Sequence, residues 1–301
     1  MIKSVTVTNH LGESIKMELA SPEKSGFAIT NITGLGAGKA NINTTEMASN
    51  DGAIFNSSKI TTRNIVLDLR FFPNPTIEDT RQLSYKYFPI KKPVTLLFEL
   101  DNRTASISGY VEENEPEIFS NEESTSVSII CPDPYFYSQE VSSTLFSGID
   151  PLFEFPFEND SLTENLIEFG AIERRKEQTV YYRGDSDIGA TIVIHSLGEV
   201  GDITIYKPST NEKMTIYADK IKELTGHGII AKDDITICTV NRHKGITLLR
   251  EGKEINILNC IDRNSDWFQI SKGDNIFIYT ASSGDSNLQF KVENQIAYEG
   301  I

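Results

Sequence analysis

The sequence predicts a mainly β chain in two domains, and three observations carry that expectation. Apolar residues recur with a period of two almost throughout, as in Val5 and Val7, Ile65, Leu67 and Leu69, or Leu288, Phe290 and Val292. That period is the mark of half-buried strands. In the first half only one stretch, "TIEDTRQLSYKYF", reads as a strong helix. The composition changes after Tyr137, and 301 residues are enough for about two domains of ordinary size.

Taken in order, the first hairpin runs out through Val5 and Val7, turns at Asn9-His10-Leu11-Gly12 and returns through Ile15, Met17 and Leu19. Ser21 to Gly26 ends it, and Phe27-Ala28-Ile29 is a short strand. The glycine-rich "TGLGAGKANIN" that follows is expected to be a flexible loop, and sheet resumes from Ile54 to Phe72. The helix starts at Thr76, whose spacing to Asp79 resembles a capping box, and Pro89 ends it. Its expected apolar stripe is Ile77, Leu83, Tyr87 and Phe88.

The stretch from Ala105 to Phe136 reads as two strands, Ser106–Val111 and Ser124–Ile130, joined by a long acidic loop. Glu112, Glu113, Glu115, Glu117, Glu122 and Glu123 line that loop. A connection this long exceeds the usual two to five residues of a hairpin and points to a contact with another molecule. These carboxylates are candidate inter-subunit groups, with Lys59, Arg63, Lys91 and Lys92 as candidate basic partners. Cys131-Pro132-Asp133-Pro134 stops the second strand.

The first domain is therefore placed at 1–138 and the second at 139–301, with a linker or first strand within 139–178. Phe153, Phe155 and Phe157 alternate in that segment, and "IERRKEQ" reads as charged and exposed. Beyond it many short strands follow, with turns at Gly201-Asp202, Gly273-Asp274-Asn275 and Gly284-Asp285, which indicates a sandwich.

The net charge of −15 disfavours specific nucleic-acid binding. Residues 1–138 hold 12 basic and 17 acidic side chains, so the second domain carries most of the excess. No apolar run is long enough to cross a membrane, and "MIKSVTVTNH" lacks a signal peptide's apolar core. Cys131, Cys238 and Cys260 are odd in number and far apart, which fits a reducing cytoplasm rather than a disulfide framework.

Chemistry is sparse. "TGLGAGKA" departs from a phosphate loop, with Thr33 in place of the first glycine and Ala40 in place of the metal-binding hydroxyl. Asp185 and Asp187 lack the remaining ligands of a calcium loop. His10, His195, His227 and His243 show no metal-ligand spacing, and His195 is expected to be exposed. The sequons at Asn31, Asn43, Asn56, Asn102 and Asn159 mean little without a secretion signal. No cofactor, metal or catalytic residue is assigned, and no enzyme activity is expected. Trp267 is the residue of most interest. Phe268 and Ile270 share a core face, which leaves Trp267 on the opposite one, where it could stack on a sugar or anchor a protein.

"SGYVEE", "VSIICPDPYF" and "GAIFNSSKITTRNIVLDLRFF", and more loosely "KGDNIFIYTASSGDSNLQFKVENQIAYEG", resemble the distal tail protein family of long-tailed bacteriophages. The first three lie within about the first 138 residues. What this resemblance implies is a ring-forming first domain, six-fold around the tail axis, followed by a galectin-like or carbohydrate-module-like sandwich. The ring would be a hub in the virion tail, assembled in the host cytoplasm. It would join the tail tube protein to tail tip or baseplate proteins, with a receptor-binding protein or a host surface glycan as a further partner. Two other readings stay open: a free, non-catalytic carbohydrate-binding protein, and a carboxylate-based glycoside hydrolase.

Overall fold

The computed structural model describes residues 1–48, 51–120, 122–151, 170–174 and 177–301, with side chains omitted at 147–151 and 170–174. The chain divides into two compact units. One comprises Met1–Glu140 together with Ala297–Ile301, the other Val141–Ile296. The sequence reading assigned the whole of 139–301 to the second domain. The last five residues instead pack with the first unit, because a short C-terminal strand adds to its sheet.

The first unit begins with β1 (Ile2–Thr8) and β2 (Ser14–Glu18). Asn9 builds the turn between them. Its Oδ1 accepts the N–H groups of Leu11 (3.0 Å) and Glu13 (3.1 Å), an Asx-type closure. Val5, Val7 and Met17 are buried, whereas Leu19 lies beyond the strand and is exposed. Then come β3 (Phe27–Thr33), β4 (Ala40–Glu46), β5 (Ala53–Ile60) and β6 (Arg63–Phe71). Strand β6 alternates as expected, with Ile65, Leu67 and Leu69 buried. Helix α1 (Ile77–Tyr87) starts where Thr76 Oγ1 accepts the Asp79 N–H at 3.1 Å. The remaining strands are β7 (Pro93–Leu100), β8 (Thr104–Glu117), β9 (Ser124–Cys131) and β10 (Phe136–Ser138). They form one antiparallel sheet in the order β2-β1-β7-β8-β9-β6-β3, with β10 paired to β8 and to the C-terminal strand. The inward faces of these strands meet in a single core with Phe88.

The helix buries a different stripe from the one expected. Thr80 and Ser84 are its buried residues, Leu83 and Tyr87 are half-buried, and Ile77 is exposed. The polar pair is satisfied locally: Thr80 Oγ1 donates to the Phe72 carbonyl at 2.6 Å and Ser84 Oγ to that of Arg81 at 2.7 Å. The last helical turn is tied down from two sides. Asn9 Nδ2 donates to the Lys86 carbonyl (3.1 Å) and Asn114 Nδ2 to those of Ser84 and Phe88 (3.3 and 3.4 Å).

The second unit opens with β11 (Ser142–Leu145), so part of the expected linker is already sheet. Strands β12 (Ser147–Pro151) and β13 (Gly170–Arg174) pair with each other. Phe153, Phe155, Phe157, Asn159, Arg175 and Lys176 lie outside the described residues. Then follow β14 (Glu177–Tyr182), β15 (Ile188–Gly189), β16 (Thr191–Ser196), β17 (Ile203–Lys207) and β18 (Glu212–Ile216). Helix α2 (Ala218–Thr225), which the sequence reading did not anticipate, interrupts them. Its buried residue is Ile221, and Gly226 closes it at φ +87°. The last strands are β19 (Asp234–Cys238), β20 (Gly245–Arg250), β21 (Lys253–Asn256), β22 (Gln269–Ile270), β23 (Gly273–Ala281), β24 (Leu288–Asn294) and β25 (Ala297–Tyr298), the last belonging to the first unit. Gly273-Asp274-Asn275 therefore opens a strand rather than making a separate turn.

Two antiparallel sheets, β11-β24-β16-β19-β20-β21 and β14-β23-β17-β18, form the expected sandwich. Aromatic rings join them: Tyr279 of β23 stacks on Phe290 of β24 at 4.9 Å, and Phe146 meets the same ring edge-on at 4.7 Å. Arg250 braces the end of α2. Its Nε donates to Asp233 Oδ1 and its Nη1 to Thr225 Oγ1, both at 2.8 Å. No described helix is long and apolar enough to cross a membrane.

Candidate interaction surfaces

The acidic hairpin differs from its expectation. The carboxylates do not occupy a long free loop, because the β8–β9 ladder extends through Glu117 paired with Ser124. What remains is a short connection over 118–123. A bulge between Val111 and Glu113 displaces Glu112, whose Oε2 accepts the Ser128 hydroxyl at 2.9 Å. Glu122 pairs with Arg70 (2.8 Å) and Glu123 with Arg81 (2.9 Å). Glu115, Glu117 and Glu122 line a shallow groove of about 440 Å³ with Asp68. Within the chain the basic partners of Glu122 and Glu123 are Arg70 and Arg81. At the tip stand Ile118 and Phe119, and Phe119 is 99% exposed.

A second hairpin is more conspicuous. Strands β4 and β5 pair only with each other, and nearly all their residues are exposed. The register places Ala40, Ile42, Thr44 and Glu46 on one face with Ile60, Ser58, Phe55 and Ala53. Asn43, Thr45, Ser57 and Lys59 share the other, joined by Asn43 to Ser57 at 3.1 Å. The first face is open and mixed, with Ile42 61% and Phe55 60% exposed beside Ser58, Thr44 and Glu46. A two-stranded hairpin is at best marginally stable alone in water. The expected flexible loop is therefore the root and first strand of a protruding arm.

Arg63 holds that root. Its guanidinium is almost fully buried beside the Phe136 ring, 4.7 Å from the centroid. It donates to the carbonyls of Gly34 and Gly36, of Pro134 (2.6 Å) and of Glu299 (2.6 Å). Burial pushes its pKa down, and Cys131 and Glu299 oppose that shift. Gly34 has φ +85°, and a Cβ there would sit 2.1 Å from the Asn64 carbonyl oxygen. The glycine-rich stretch thus turns carbonyl oxygens toward a cation, the reverse of a phosphate cradle.

In the second unit Phe268 and Ile270 are buried and Trp267, just before β22, is half-buried. The indole borders a cleft of about 590 Å³ that Lys220, Asn259, Asp262, Arg263 and Ser265 also line. Lys244 Nζ lies 5.6 Å from its ring centroid. His195 is half-exposed, with Nδ1 2.6 Å from Asp234 Oδ1. His10, His227 and His243 are exposed, and Asp185 pairs with Lys272 at 3.4 Å. Among the described residues no group of three His, Cys, Asp or Glu converges as metal ligands.

No protein-family model matches the chain, and no curated protein sequence matches it. Solved structures do. The chain is similar to the Dit (gp 19.1) protein of phage SPP1, described as a paradigm of hub adsorption apparatus in phages infecting Gram-positive hosts. The TM-score is 0.67 at 12% identity, over 97% of this chain and 98% of that one. It is also similar to chains of the phage P2 baseplate in its activated conformation. With Ca the TM-score is 0.51 at 12% identity over 98% of both chains, and with Sr it is 0.50 at 11% over 97% of both. At such identities the likeness is one of fold, and the mainly β architecture of both units is the fold these phage proteins share with this chain.

Proposed function

We propose that this chain is a structural subunit of a bacteriophage tail, a hub whose copies close into a ring between tail tube and tail tip or baseplate. The observation that carries the reading is the fold likeness to the SPP1 hub protein, which spans both units from end to end. The free arm supports it independently. Ile42 and Phe55 share one of its faces and stay exposed among the described residues, and a second copy of the chain supplies their cover. A closed ring repeats such a head-to-tail contact around its circumference, so every arm finds a recipient. By the resemblance to distal tail proteins the ring holds six copies and the site of action is the virion tail. The second unit then serves as a non-catalytic binding platform for neighbouring tail proteins or a surface glycan.

The test is sedimentation of the full chain beside a variant with residues 40–60 replaced by a short glycine-serine turn. The full chain is expected to form one large closed species above a threshold concentration, and the variant to stay folded and monomeric. A variant that assembles as the full chain does would remove the arm from the interface.

A further inference from the structure

The second unit contains a cleft lined by polar side chains. Trp267, the single tryptophan of the chain, borders it. Its place is fixed from behind, since Phe268 packs edge-on against Phe277 at 5.7 Å in the core. The opposite wall is fixed too. Asp262 accepts the Tyr217 hydroxyl at 3.1 Å and the Asn264 N–H at 3.0 Å. Ser265 Oγ accepts the Thr215 N–H at 3.2 Å, and Lys220 Nζ donates to the Ile261 carbonyl at 3.1 Å. Three donors remain unspent. The side chains of Asn259 and Arg263 and the indole N–H of Trp267 make no hydrogen bond among the described residues.

We infer that this cleft binds a hexuronic acid residue of an acidic polysaccharide. The pyranose would lie against the Trp267 indole, its carboxylate on Arg263 and its hydroxyls on Asn259. An indole presents a flat apolar face and a polar edge, which suits a sugar's C–H face and rim. A guanidinium matches a carboxylate through two parallel hydrogen bonds, and a side-chain amide both donates and accepts. The volume of about 590 Å³ falls within the range of small-molecule sites. The net charge of −15 argues against an anionic ligand only at long range. Screening limits such fields to about 8–10 Å at ordinary salt. Among the residues that line the cleft Lys220 and Arg263 outnumber Asp262, whose carboxylate already accepts two donors; outside that lining Asp266 adjoins Trp267, and Lys244 Nζ lies 5.6 Å from the ring centroid.

This inference rests on the second unit being a binding platform, and the single tryptophan makes it directly readable. Indole emission of the full chain should be titrated at constant ionic strength with methyl glucuronide, methyl glucoside and glycerol 3-phosphate. The glucuronide is expected to give a saturable change and to bind at least tenfold more tightly than the glucoside. Glycerol 3-phosphate is expected to give none. Arg263→Gln should lower glucuronide binding to the glucoside level while emission and circular dichroism of the free protein stay as they were. No saturable response to the glucuronide would overturn the inference. So would an equal response to the glucoside, which removes the acid, or to glycerol 3-phosphate, which removes the sugar. Sizing the same samples separates the two readings: rings without glucuronide binding refute the cleft alone, and binding without rings refutes the hub alone.

Discussion

Arg63 carries its charge into a nearly closed site with no ion-pair partner among the described residues. Hydrogen bonds involving a charged group contribute about 1.5–3 kcal/mol each, and unpaired buried carbonyls add a desolvation cost. Replacing Arg63 with Met should therefore destabilise the first unit by about 3 kcal/mol or more, measured by chemical denaturation. Amide exchange should rise together at 34–40 and at 297–301, the segments whose carbonyls it holds. Faster exchange at only one of them would mean that the clamp does not link the two. Cys131 offers a pH test. Burial pushes its thiol up to about 12 from an ordinary value of 9.0. Between those values the unfolded chain has released this proton and the folded chain retains it, so folding loses stability as pH rises from about 9 toward 12. Cys131→Ala, less stable at neutral pH through lost packing, should show a shallower fall over that window. Parallel curves would exclude the thiol as a source.

At the scale of elements, the strands were legible because one face of each is buried. Val5 and Val7, Ile65 to Leu69 and Ile192 and Ile194 alternate as they do because the opposite face meets water. Leu67→Ala should accordingly cost about 2–5 kcal/mol, read as a lower denaturation midpoint. The first strand of the arm escaped detection because all its residues are exposed, so "KANIN" carries no core signal, whereas the second strand lies in the stretch from Ile54 that reads as sheet. Helix α2 escaped for a related reason, since it buries only Ile221. The acidic hairpin was misjudged in length because its glutamates point outward from strands, where charge reads like loop. Its carboxylates engage Arg70 and Arg81 in the same chain, and surface pairs of this kind are worth about 0–1 kcal/mol. Glu122→Gln with Glu123→Gln should thus leave assembly unchanged. Disassembly of that double variant would return the hairpin to the interface. Trp267 is half-buried beside the buried Phe268 and borders a cleft. Its cleft was not legible, because Lys220, Asn259 and Arg263 converge on it from elements that local periodicity cannot join.

At the scale of the whole molecule, the chain leaves the first unit at Glu140 and returns to it at Ala297. Strand β25 pairs with β10, Tyr298 and Ile301 pack on the first core, and the Glu299 carbonyl receives Arg63. Removing residues 297–301 should therefore lower the melting temperature of the first unit, although the cut lies at the far end of the sequence. An unchanged first transition would show that the return strand is dispensable. The central claim, that copies of this chain close into a hub, is tested most directly by native mass spectrometry of the purified full chain at micromolar concentration. A dominant closed species of six copies that loses mass stepwise under activation is expected. A monomer at every concentration, or an open ladder of lengths without a preferred number, would contradict it.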